Sequence, residues 1–265
     1  MKNSIQKVTA IVFFALIAQS AFAWGTTGHR VVAEIAERHL TKTAKKNLSL
    51  LIGREPLAFW ANWADFIKSD TTDKWKATHV WHYIDLPSGL TKSEFAEDLK
   101  SLDGGNLYTK IPAMEKILRS KKSSLAERQV ALHFLIHLIG DMEQPLHVGH
   151  DEDAGGNKIV EYWFGKKTNL HAIWDDDLVD YQKWSYTEYA TNIDVVSDAE
   201  MKQIQSGSLE DWLYQTYQLA QEVYDKTPVD AKLGYNYNYL FYTKLNRQLL
   251  YGGLRLAKIL NDILG

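Results

Sequence analysis

Histidine and aspartate recur along this chain at spacings that bring imidazole and carboxylate together. His137 and Asp141 stand four apart in an apolar run, so on a helix they share one face. His147 follows six residues after Asp141, just beyond Pro145. His171 and Asp175 form a second pair of the same spacing, Asp65 falls in a third helical stretch, and His82 sits in Trp81-His82-Tyr83-Ile84-Asp85. The chain has no cysteine, which excludes disulfides and thiolate ligands. Imidazole with carboxylate and no thiolate is a donor set suited to zinc in catalytic rather than structural sites. Asp141 is the most telling member. A carboxylate near the end of an apolar, buried helix costs several kcal/mol unless it is paired or metal-bound.

The start of the chain adds a further donor. Residues 1–23 read as a secretory signal peptide: Lys2 and Lys7 form a basic region, Ile11–Ala18 an apolar stretch too short to span a bilayer, and Ala21-Phe22-Ala23 a small-x-small cleavage site. Cleavage there makes Trp24 the N-terminus. A free α-amine, with a pKa of about 8, is available to a metal near neutrality and forms a five-membered chelate with its own carbonyl oxygen. With His29 five residues on, this terminus is a candidate metal site that the uncut precursor cannot build. The leader predicts export, to a periplasm or outside the cell.

These donors need elements to hold them, and the hydrophobic pattern is helical nearly throughout. Helical stripes cover His29–Leu40, Pro56–Ser69, Ser93–Leu99, Ile111–Arg119, Leu209–Asp225 and Tyr239–Leu264. Leu125–Asp141 is apolar almost all round, hence central, and should end near Gln144 because Pro145 disfavours helix in the residue before it. Asn169–Tyr181 is helical, with Asn169 as its N-cap. Gly155–Gly165, containing Ile159–Phe164, is the one short strand or hairpin. The expectation is a single all-α domain over 24–265 with one short β-hairpin. No apolar run after residue 23 is long enough to span a membrane. The net charge of −3 is not that of a basic nucleic-acid-binding protein, so a polyanionic substrate would need bound cations or a local basic patch. Nine tryptophans and fourteen tyrosines supply a dense aromatic core, with some free to stack bases or sugars in a groove.

The motifs resemble those of the secreted trinuclear-zinc, single-strand-specific nucleases of fungi, plants and bacteria (nuclease S-one / P-one type), and the match is to a bacterial member. They run in order over essentially all of 24–265: Trp24-Gly25 with Gly28-His29, Trp63-Ala64-Asp65, His82-Tyr83-Ile84-Asp85, Leu135 to Val148, Gly155-Gly156-Asn157, Asn169 to Asp175, and Gly252 to Ala257. The resemblance implies the mainly helical fold shared with zinc phospholipase C, and three zinc ions. Asp65, His82, His137 and Asp141 would hold one. His147, His171 and Asp175 would hold a second. The Trp24 amine and carbonyl, His29 and a shared oxygen of Asp141 would hold the third. Spacing alone leaves His133, one turn before His137, open as a ligand; the motif assigns that role to His137.

The activity implied is hydrolysis of single-stranded DNA and RNA, with 3′-nucleotides as further substrates, by a monomer. Paired zincs about 3.5–4 Å apart activate water for attack on phosphorus. Asp65 would orient that water, and Lys68, one turn on, would offset charge on the phosphate. Tyr83, Asp85 and Asn157 would stack on and hydrogen-bond a base, which requires the base to be unpaired. Two other readings stay open: a zinc-dependent phospholipase C, in which the last ligand is usually Glu where this chain has Asp175, and a non-catalytic periplasmic zinc-binding protein.

Overall fold

The computed structural model describes residues 24–265; the expected signal peptide lies outside the described residues. In chain order the helices are α1 (Thr26–Arg38), α2 (Lys42–Ile52), α3 (Leu57–Trp60), α4 (Trp63–Phe66), α5 (Lys92–Ser101), α6 (Leu107–Arg119), α7 (Leu125–Glu143), α8 (Leu170–Ala172), α9 (Leu178–Asp180), α10 (Tyr186–Ile193), α11 (Asp198–Ile204), α12 (Leu209–Lys226) and α13 (Tyr235–Leu264). Strands β1 (Val160–Trp163), β2 (Lys166–Asn169) and β3 (Lys232–Leu233) form one small sheet. The expected mainly helical class is what the structure shows.

α7 is the axis of the molecule. Ser124 caps it through a reciprocal capping box with Glu127, and every residue from Ala131 to Glu143 is buried. It ends at Gln144, whose backbone is extended ahead of Pro145, as proline demands. α1 and α13 cross closely where Gly252 and Gly253 meet Val32 and Ile35. A Cβ on Gly253 would stand 2.5 Å from the Ile35 Cβ, so only glycine permits this approach. That packing fixes α1, which carries His29.

β1 and β2 form the expected hairpin, with Val160 opposite Asn169 and Trp163 opposite Lys166. Its two-residue turn, Phe164-Gly165, has positive φ at both positions, the turn that matches the twist of paired strands. β3 adds in parallel to β1 and was not expected from a two-residue stretch.

Two expected helices are broken, and both breaks serve the site. Pro56–Ser69 divides at Ala61–Asn62 into α3, α4 and a 3₁₀ turn, Ile67–Ser69. Asn169–Tyr181 carries its Asn169 cap but passes through a π-helical turn, Ile173–Asp177, between α8 and α9. A ten-residue 3₁₀ segment, Asp73–His82, delivers His82, and a second, Pro145–Val148, delivers His147. α2, α10 and α11 lie where no element was expected, and α6 starts four residues early on an Asn106 cap. Among the described residues no helix is long and apolar enough to cross a membrane.

Candidate active site

The α7 face that bears His137 and Asp141 gathers the predicted donors from α1, α4 and the Asp73–His82 segment. His82 Nδ1 lies 2.9 Å from Asp141 Oδ2, 3.1 Å from His137 Nε2 and 3.9 Å from Asp65 Oδ1. His137 Nε2 lies 3.5 Å from both Asp65 Oδ1 and Asp141 Oδ2. Four donors around one zinc, with bonds of about 2.0–2.1 Å, stand about 3.3–3.4 Å apart. These spacings scatter around that value. The other Asp141 oxygen, Oδ1, faces away to His29 Nε2 at 3.2 Å. Asp141 therefore presents one oxygen to each of two adjoining groups.

The third group forms where the Pro145–Val148 turn meets α8 and the π turn. His171 Nε2 is 3.2 Å from Asp175 Oδ2, and His147 Nε2 is 3.7 Å from Asp175 Oδ1. The π turn keeps both Trp174 and Asp175 buried, a local geometry frequent at functional sites. The backbone orients these rings. His137, His147 and His171 each donate Nδ1–H to a carbonyl, of Ala61, His82 and Gly155, at 2.6–2.7 Å. Their Nε2 atoms are thereby left as lone-pair donors facing inward. The Ala61 carbonyl lies at the break between α3 and α4.

Trp24 is fully buried, its Cβ 3.0 Å from where a Gly28 Cβ would stand. Gly25 N–H donates to the Asp175 carbonyl at 2.8 Å, which ties the segment ahead of α1 to the third group. Gly140 has a sharper role. A Cβ there would meet His29 Nδ1 at 2.6 Å, so this glycine makes the seat for the His29 ring.

The electrostatics of the centre call for added positive charge. Burial pushes the His29 and His82 imidazoles down to about 4, so both are neutral near pH 7, the form that ligates metal. Burial opposes ionisation of Asp65 and Asp141, yet the surrounding imidazoles hold both carboxyls well below the usual range. Burial also opposes a charge on His147, but Asp175 and Asp141 lift it to about 9. Meanwhile His29 Nε2, His147 Nε2, His171 Nε2 and Asp141 Oδ1 are buried without a hydrogen-bond partner. Such orphaned, convergent donors are costly unless something binds them. The three groups, His29–His137–Asp141, Asp65–His82–His137 and His147–His171–Asp175, fit divalent cations.

A cleft of about 320 Å³ opens onto this centre, lined by Lys68, His79, Tyr83, Asp85 and Asn157 among others. All the residues expected to touch substrate therefore meet at one opening. Lys68 Nζ stands 2.7 Å from Asp65 Oδ1. Tyr83 is partly exposed, and burial pushes the Asp85 carboxyl up to about 6. A larger hollow between α11, α12 and α13 contains none of these donors.

His133 does not join the centre. Its ring stacks on Trp60 at 4.0 Å and lies against Trp63. Two participants escaped the sequence. Gln144 donates its amide to Asp175 Oδ1, a role that a residue before proline does not advertise. His79 lines the cleft, one turn before His82 on a helix type that was not expected.

The chain belongs to the S1/P1 nuclease family, whose model matches residues 24–265. It is 28% identical over 282 residues to Endonuclease 3 of Arabidopsis thaliana, covering 97% of this chain and 94% of that protein. Nuclease S1 of Aspergillus oryzae is 32% identical over 178 residues, 64% of this chain and 60% of its own. Nuclease P1 of Penicillium citrinum is 34% identical over 160 residues, 57% of each. The chain is thus a nuclease, a hydrolase of phosphodiester bonds in nucleic acid, with His/Asp clusters able to hold metal ions.

Proposed function

We propose that this protein is an exported, monomeric, zinc-dependent endonuclease that cuts single-stranded DNA and RNA to 5′-phosphate products and also removes phosphate from 3′-nucleotides. The observation that carries this reading is Asp141: fully buried, with one oxygen toward His82 and His137 and the other toward His29. A shared carboxylate of this kind suits adjacent ions. Asp65, His82, His137 and Asp141 would hold one zinc, and His147, His171 and Asp175 a second. Trp24, through its amine and carbonyl, with His29 and Asp141 would hold a third, once a signal peptide is removed after Ala23. When bound, zinc supplies Lewis acidity and an activated water at neutral pH.

The chain's own residues do the rest. Tyr83 offers a face on which an unpaired base stacks, Asp85 accepts from an exocyclic amine, and Asn157 adds a polar contact. A base held in a duplex cannot reach this wall, which favours single strands. Lys68 faces the scissile phosphate as a point charge, held in place by Asp65. Asp65 also orients the water for in-line attack. The water oxygen joins phosphorus and the P–O3′ bond breaks, leaving a 3′-hydroxyl and a 5′-phosphate.

The test combines metal analysis of the Trp24-initiated protein with end-group analysis of digests of single-stranded and duplex oligonucleotides. Three zincs, faster cutting of single strands and 5′-phosphate ends are expected, all lost on exhaustive chelation. Products with 3′-phosphate ends, or full activity after chelation, would overturn the reading. Turnover of short-chain phosphatidylcholine in place of oligonucleotide would favour the phospholipase alternative.

A further inference from the structure

The Asp73–His82 segment is 3₁₀ helix, in which side chains three apart eclipse one another. His82 therefore begins a stripe that continues through His79 to Lys76. His82 is buried among the candidate metal donors, whereas His79 and Lys76 are exposed. This stripe leaves the active-site cleft and enters a second hollow of about 190 Å³, whose lining includes Lys68, Asp70, Thr72, Trp75, Lys76 and His79. Lys68 and His79 line both spaces, so the two are neighbours across one shared wall.

We propose that this hollow binds the nucleoside on the 3′ side of the scissile phosphate. The inference rests on the nuclease reading and gives it a polarity. Tyr83, Asp85 and Asn157 line the cleft but not the hollow. Because the proposed removal of phosphate from 3′-nucleotides must recognise the nucleoside whose 3′ oxygen leaves, these residues would hold that base. The phosphate lies at Lys68. The chain must then continue across Lys68 and His79, and the hollow is what lies beyond them. Its chemistry fits a nucleoside better than another phosphate. The Trp75 indole is half-buried, packed edge-on to Trp63 and covered on one side by Lys74 Nζ at 4.5 Å. Asp70 already accepts from Thr72 N–H at 2.7 Å and retains acceptor capacity for sugar hydroxyls or base amines. His79 and Lys76 both line the hollow, where the imidazole and the ammonium can donate to hydroxyl and base acceptors of that nucleoside. Lys76 is only 3.8 Å from Asp73 in an exposed pair, so its charge is available to substrate.

The experiment compares two diesters that share the cleft nucleoside and the scissile phosphate: the dinucleotide of two deoxyadenosines, and 2′-deoxyadenosine 3′-methylphosphate, which has nothing to place in the hollow. The holoenzyme should prefer the dinucleotide. In His79→Ala and Lys76→Ala/His79→Ala, matched for zinc content and thermal midpoint, the dinucleotide-to-methyl-ester ratio of kcat/KM should fall about tenfold or more, chiefly through KM for the dinucleotide. His79→Asn, which keeps a donor, should recover part of the ratio. An unchanged ratio in both variants would overturn the subsite, as would a wild-type enzyme that does not distinguish the two diesters. Hydrolysis of neither diester by the zinc-loaded protein would instead remove the nuclease reading on which the subsite rests.

Discussion

Gly140→Ala should separate the metal centre from the fold. Within α7, alanine is the better helix former by about 1 kcal/mol. The new methyl, however, would stand 2.6 Å from His29 Nδ1 and 2.9 Å from His29 Cε1, some 0.8 Å inside the 3.4 Å at which ordinary contact begins. Overpacking of this kind costs about 1–3 kcal/mol, so the two terms nearly cancel and the thermal midpoint of the metal-free protein should move by only a few degrees. The His29 ring must shift by close to 1 Å, away from the 3.2 Å approach of its Nε2 to Asp141 Oδ1. A displacement of that size at a reacting centre costs on the order of 10²-fold in rate. The assay measures zinc per chain, thermal midpoint and initial rate on a single-stranded oligonucleotide for wild type and Gly140→Ala. About one zinc fewer, a rate lower by about 10²-fold or more and a nearly unchanged midpoint of the metal-free protein are expected. Full zinc content with wild-type rate would refute the assignment of His29 to the centre.

An extra N-terminal residue, as in a Met-Trp24 protein, replaces the free amine with an amide. It should remove one zinc and cost orders of magnitude in rate, measured against Trp24-initiated protein, while circular dichroism stays helical. Arg255 Nη1–H donates to Glu143 Oε1 at 2.7 Å with both groups buried, and burial pushes the Glu143 carboxyl up. Arg255→Met should therefore lower stability in urea by about 3–5 kcal/mol, with partial recovery in Arg255→Met/Glu143→Gln. Glu161 is buried with Oε1 unpartnered, and burial lifts its carboxyl to about 7. Folded protein thus keeps a proton that the unfolded chain loses near pH 4.5, so this group's stabilisation is present in acid and declines as pH rises toward 7. Glu161→Gln should raise the thermal midpoint at pH 8 and change it little at pH 4.5.

The clustering of His and Asp was legible in the sequence because metal-ligating chemistry restricts residue types, and the i,i+4 pairs His137/Asp141 and His171/Asp175 survive as neighbours. The long apolar run became α7, and the Asn169 cap and the hairpin formed where turn chemistry placed them. What escaped was backbone irregularity. The break at Ala61, the 3₁₀ segment before His82 and the π turn at Ile173–Asp177 carry no periodicity that a 3.6-residue pattern detects. Each is fixed by tertiary demand. The Ala61 carbonyl serves His137 Nδ1, and the π turn keeps Trp174 and Asp175 buried together. His79 went unassigned for the same reason, since the 3₁₀ segment that places it one turn before His82 shows no apolar periodicity in the sequence. His133 shares the face of His137, yet it packs among tryptophans because Trp60 and Trp63 reach it first.

The central claim is that Asp141 is shared between ions in a three-metal centre. Anomalous diffraction from crystals of the Trp24-initiated protein, recorded on both sides of the zinc edge, tests it directly. Three peaks are predicted: one among Asp65, His82, His137 and Asp141 Oδ2, one between Asp141 Oδ1, His29 and the Trp24 amine, and one among His147, His171 and Asp175. A single peak, or an Asp141 carboxylate with both oxygens on one ion and none at His29, would contradict it.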